Sequence, residues 1–254
     1  MEILDYLLQA AQFSLKTLAI GLLPYLIFAF MMQKISISIR RSLAALIGDR
    51  GYIYITALGV MLHELSHAFF CVVFRHKINE MKLFSPETDG TLGYVNHSYN
   101  PKNRFQRMGN FFIGTGPVWG GIFALCLLTM FLVPAEITDF SQGSLDICGR
   151  FFKYLLSASF WCRWQSYLWL YLILTVSSHV TLSTSDLTGS IDGAITIITT
   201  VILAFTLFGW CGNWEEPVIG FCQNVLFATA DILLISVIML SVFAIVLKIL
   251  APKR

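Results

Sequence analysis

Charge is scarce along this chain. Charged residues make up 13% of its 254 residues and hydrophobic ones 56%, whereas an ordinary soluble domain carries roughly 25% charged residues. That balance argues against a water-soluble globular domain and for an integral membrane protein. The formal net charge is only +2, and no basic run is interleaved with aromatics, so a nucleic-acid partner is not expected. Five histidines are too few for a His-rich di-iron membrane oxygenase. No CxxC pair and no Cys-His spacing suits a structural zinc ribbon. Internal repeats and low-complexity segments are lacking as well. The opening residues Met1 to Asp5 carry no basic n-region, and no small-residue cleavage site follows the first apolar stretch. That stretch is therefore expected to be a retained span and not a signal peptide.

What is present is a series of apolar runs of bilayer length. They predict an all-α integral membrane protein forming a single polytopic domain over 1–254, a bundle of about six transmembrane helices. The spans fall at about 18–32, 51–74, 111–133, 165–182, 187–210 and 225–250. A polar connection with Lys34, Arg40, Arg41, Asp49 and Arg50 separates the first two, and 134–164 reads as an aromatic interfacial segment. Between the second and third spans lies the longest polar stretch. Its Gly, Pro and Asp cluster around Glu87 to Gly90 predicts a small β-hairpin over about 81–97. Lys and Arg number nine on the side of this hairpin and the C-terminus and seven on the other. The positive-inside rule thus leans toward a cytoplasmic hairpin, with the cell membrane as the expected location. Cys148, Cys162, Cys211 and Cys222 fall near the opposite side. In an oxidising compartment Cys211 and Cys222 would pair across their short loop; otherwise all four behave as small hydrophobes.

The second span contains His63-Glu64-Leu65-Ser66-His67, an HExxH sequence. Residues four apart share one helix face, so both imidazoles reach one cation while Glu64 stands beside the water that cation would hold. A glutamate and two histidines are costly at membrane depth unless they build a polar site. The expected cofactor is Zn2+, with His63 and His67 as ligands and Glu64 as general base. The third ligand is open between Asp186, Asp192 and His179. Asp186 is preferred, because Ser183-Thr184-Ser185-Asp186 is a polar link at a helix start where amides and hydroxyls orient a carboxylate.

The chain resembles the site-2 protease family of intramembrane zinc metalloproteases over about 59–193. The resemblance rests on the apolar helix Gly59 to Ala68 around HExxH and on the glycine-rich strand Gly90-Thr91-Leu92-Gly93-Tyr94-Val95. It rests also on Gly116-Pro117, similar to the family's GPxxN motif, and on Ile191-Asp192-Gly193, similar to its LDG. The last of these draws the third ligand toward Asp192. Two features depart from the family pattern: Gly120 stands where GPxxN has Asn, and no proline precedes Ile191. The resemblance implies an endopeptidase that cuts a membrane-protein or peptide substrate within or next to a transmembrane segment. The hairpin edge would hold that substrate extended, with Gly93 and Asn96 as candidate substrate contacts; His97 beside Asn96 at the end of the hairpin is weighed for the same role but reads more simply as a turn histidine. A different expectation is a non-catalytic membrane protein, a pseudoprotease or transporter, that keeps a metal-binding HExxH.

Overall fold

The computed structural model describes residues 3–87, 90–138, 144–208 and 215–252. It is mostly helical, with one two-stranded antiparallel sheet. Helix α1 (Ile3–Gly21) breaks at Leu22 before α2 (Leu23–Ile55), whose first turn carries Pro24, a position where the missing N–H costs nothing. The polar stretch 33–50, expected as a connection, is helical. No glycine or proline interrupts it before Gly48, whose φ of 80° marks a kink inside α2. The HExxH helix α3 (Ala57–Val73) follows after Thr56.

Strands β1 (Lys77–Lys82) and β2 (Tyr94–Ser98) pair with Lys77 opposite Ser98 and Lys82 opposite Tyr94. The hairpin is thus where it was expected, although β1 begins earlier and a bulge interrupts the register between Ile78 and Glu80. Two bonds beyond the ladder, Ser85 N–H to the Leu92 carbonyl at 2.7 Å and Glu87 N–H to Thr91 at 2.8 Å, carry the pairing toward the turn.

Helix α4 (Arg104–Gly114) and α5 (Gly116–Leu132) meet at Thr115 with a bend of 60°. Pro117, in the first turn of α5, has no N–H for the carbonyl four residues back and so favours a break there. The short α6 (Ser144–Leu155) and α7 (Ala158–Trp161) occupy part of the expected aromatic segment. They lead to α8 (Trp164–His179), α9 (Thr184–Phe208) and α10 (Glu215–Leu250).

The apolar core lies among α2, α5, α8 and α10, where Met32, Leu125, Trp169, Ile173 and Leu240 are fully buried. Helices α3, α4 and α9 flank it and carry the polar residues described below. Gly193 brings α9 against α4: a Cβ there would collide with the backbone nitrogen of Phe111. Small residues allow this close approach between helix backbones.

Among the described residues, three segments can cross a membrane by length and composition: Leu4–Ile55 taken together, Thr184–Ala204 and Glu216–Leu250. The bent pair α4 and α5 makes a fourth if it counts as one span. The expected count was about six. Helix α3 is apolar, but at 17 residues it is shorter than the ~20 residues that a bilayer requires, and α8 has only 16. Large apolar side chains such as Phe30, Phe123, Phe131 and Ile249 point outward, a surface that suits hydrocarbon better than water. Cys162 and Cys222 are free thiols among the described residues. The side chains of Cys148 and Cys211 lie outside them, and so does the expected Cys211 to Cys222 pairing.

Candidate metal centre

Helix α3 places His63 and His67 one turn apart, with their Nε2 atoms separated by 3.3 Å. Their other ring nitrogens are held by main-chain carbonyls, His67 Nδ1 by Ile113 at 2.6 Å and His63 Nδ1 by His179 at 2.9 Å. A carbonyl oxygen can only accept, so in each neutral ring Nδ1 carries the proton and Nε2 presents a lone pair. Both carbonyls lack the usual helical donor four residues on. Ile113 lies four residues before Pro117, which has no N–H to offer it. His179 is the last residue of α8, where carbonyls lack an intrahelical partner. The Ser183 N–H, four residues on, is taken by Asp186 Oδ2 at 2.8 Å.

Asp186 completes the group. Its own N–H donates to Ser183 Oγ at 3.1 Å, so Ser183 and Asp186 satisfy each other across the first turn of α9 in the manner of a capping box. The carboxylate is thereby turned toward the histidines. His67 Nε2 lies 3.4 Å from Asp186 Oδ1, and His63 Nε2 lies 3.9 Å from Oδ2. One ligand atom from each of the three residues falls within 4.8 Å of the others. Two lone pairs and a carboxylate this close repel unless positive charge lies among them. Ligands at the usual zinc distances of ~2.0–2.1 Å in a tetrahedron are roughly 3.3 Å apart. The group thus has the chemistry and spacing to hold a metal ion.

Of the candidate third ligands, the fold brings Asp186 to the histidines and takes Asp192 elsewhere. Asp192, six residues further along α9, receives Arg107 Nε at 2.9 Å on each carboxylate oxygen. This is an ion pair between α9 and α4. The imidazole of His179 is turned away as well: its carbonyl supports His63, while its buried Nε2 has no hydrogen-bond partner.

Glu64 is buried and lines a cavity of about 510 Å³ together with His63, His67 and Asp186. Thr91, Gly93, Tyr94, Val95 and His97 of the hairpin segment form the facing wall. Gly93 sits directly against the Glu64 side chain. Asn96 does not line the cavity. Side chains alternate along β2, so Asn96 is exposed on the face opposite Val95 and His97. Of the two residues weighed at the end of the hairpin, His97 lines the cavity and Asn96 does not, and Asn110 of α4 joins the lining without having been anticipated. Nothing local to the sequence marked Asn110 or the carbonyls of Ile113 and His179.

The departure at Gly120 has a steric basis. Any Cβ at that position would collide with Ser66 Oγ, and Ser66 is the small residue inside HExxH. A longer side chain at position 120 and a serine at position 66 exclude each other.

No family profile, no curated protein and no solved structure matches this chain.

Proposed function

We propose that this protein is a membrane-embedded zinc endopeptidase similar to the site-2 proteases, cutting membrane-protein substrates within or next to a transmembrane segment. One observation carries the reading: His63 Nε2, His67 Nε2 and the Asp186 carboxylate converge on the wall of a cavity that Glu64 and a strand of an exposed hairpin share. Three protein ligands with open space beside them are the pattern of catalytic zinc, whereas structural zinc is closed by four.

His63, His67 and Asp186 would hold the ion, which when bound lowers the pKa of a water and polarises the scissile carbonyl. Glu64 takes the proton of the attacking water on its carboxylate and returns it to the leaving amine nitrogen. The Ile113 and His179 carbonyls keep the imidazoles in the tautomer that leaves Nε2 bare. The Ser183 N–H holds Asp186 in place. A helical substrate hides its carbonyls in its own hydrogen bonds and must be extended before attack. The two-stranded sheet has an unpaired edge on β2, beside cavity-lining Val95, and a peptide strand can add there through main-chain bonds.

The test combines metal analysis with cleavage of a transmembrane peptide in bilayer nanodiscs by wild type and Glu64→Gln. The expected result is one zinc per chain in both proteins and cleavage by wild type alone. Equal processing by the two proteins at full zinc occupancy would remove the peptidase assignment.

A further inference from the structure

Behind the cavity wall a second pair of histidines is locked together. His76 follows α3 in a tight helix end: Arg75 adopts a left-handed φ of 59°, and the His76 N–H reaches back to the Cys71 carbonyl at 2.8 Å. A left-handed conformation is uncommon for a residue with a side chain. Here Gln106 Nε2 secures it by donating to the Arg75 carbonyl at 2.7 Å. The buried His76 ring stacks on Tyr99 with centroids 4.9 Å apart and planes at 14°. Its Nε2 lies 2.7 Å from the Gln106 carbonyl, and its Nδ1 lies 3.0 Å from His97 Nδ1.

These contacts determine where the protons sit. The Gln106 carbonyl only accepts, so His76 Nε2 carries a hydrogen and the neutral ring leaves Nδ1 bare. His97 Nδ1 must then donate to it. By elimination His97 Nε2 carries no hydrogen, and it has no hydrogen-bond partner among the described residues. His97 lines the same cavity as His67 and Glu64. Burial pushes the His97 imidazole down to about 4 and lowers His76 too, which keeps the pair neutral at ordinary pH.

We infer that His97 is a peptide-binding residue of this cavity, its Nε2 accepting a hydrogen bond from one backbone N–H of an extended substrate, with His76 as the positioning residue that fixes the tautomer. The inference rests on the peptidase reading for the nature of the ligand. It adds a recognition element that neither HExxH nor the later aspartate supplies. A bare nitrogen cannot stabilise an oxyanion, which needs a donor. What it recognises is a donor, and an extended peptide offers one at every residue except proline. Helical substrate spends those same N–H groups internally, so this acceptor favours the unwound chain.

The experiment uses zinc-loaded Glu64→Gln protein in nanodiscs, where binding is read without turnover. The probes are a fluorescein-labelled apolar peptide and a set of variants, each methylated at a single backbone nitrogen. One methylation is expected to weaken binding about tenfold, the usual scale for an unsatisfied polar group. That same methylation should cost nothing further once His97→Ala is added. His76→Phe keeps a ring on Tyr99 but removes the acceptor for His97, and is expected to shrink the discrimination. The outcome that overturns the inference is full discrimination surviving in both variants, or no single methylation mattering in the parent, or no peptide binding at all. Zinc content retained by His97→Ala shows that the site itself still folds. Absence of cleavage by wild type would count against the peptidase reading alone, because the binding measurement does not depend on turnover.

Discussion

His67 Nδ1 and the carbonyl of Ile113 lie 2.6 Å apart, and Pro117 is the reason that carbonyl is free to accept. A residue with no N–H on α5 thus sets the tautomer of a histidine on α3. Pro117→Ala returns an N–H that competes for the same oxygen and straightens the chain at Thr115. The expected result is a loss of zinc affinity of about 10- to 100-fold, the range found when the group supporting a ligating histidine is removed. Competition with a fluorescent zinc chelator measures it.

The two aspartates of α9 should separate cleanly. Asp186→Asn, like His63→Ala and His67→Ala, is expected to abolish stoichiometric zinc, read by elemental analysis of purified protein. Asp192→Asn should keep zinc and lose only its pair with Arg107. Both partners are substantially exposed, so the stability cost is expected below about 1 kcal/mol. A chelator should lower the unfolding midpoint of wild type and of Asp192→Asn and leave Asp186→Asn unmoved.

The exclusion between positions 66 and 120 can be read as a coupling. Gly120→Ala alone forces its Cβ onto Ser66 Oγ, and overpacking of that kind typically costs about 1–3 kcal/mol. Ser66→Gly removes the obstacle, so the double variant should be more stable than the sum of the two singles predicts. Thermal unfolding in one detergent measures all four corners of the cycle.

Acidification should loosen the hairpin. His97 titrates near 4 when folded and His76 is lowered as well, against an ordinary value of 6.5. Between about pH 4 and 6.5 the unfolded chain therefore binds more protons than the folded one, and stability rises with pH across that window. The midpoint of unfolding should fall as pH is taken from 7 to 5. The slope should flatten in His76→Phe/His97→Phe, while a slope unchanged by the double substitution would contradict the assignment.

Much of this could be read from the sequence where the relevant physics is local. The spacing of His63 and His67 is one helical turn, Ser183 to Asp186 is one capping turn, and the hairpin announces itself by its turn residues. What escaped was decided by packing between distant segments. Asp186 was preferred over Asp192, but only the α4 to α9 contact separates them decisively, by giving Asp192 to Arg107, a residue 85 positions away. The polar residues at 33–50 suggested a connection, but polar side chains do not stop a helix, which here runs on until Gly48 kinks it. That His97 and not Asn96 faces the cavity depends on the register of β2, which begins at Tyr94 and is set by its pairing with β1.

The two carbonyls that hold His63 and His67 also bear on how three helices are joined. Helix ends are expensive in hydrocarbon, and here the imidazoles of α3 cap the end of α4 at Ile113 and the end of α8 at His179. The bonds that orient the two histidines are thus the bonds that fasten α3 to both neighbours, so a substitution at either histidine is felt in helix packing as well as in the polar group itself.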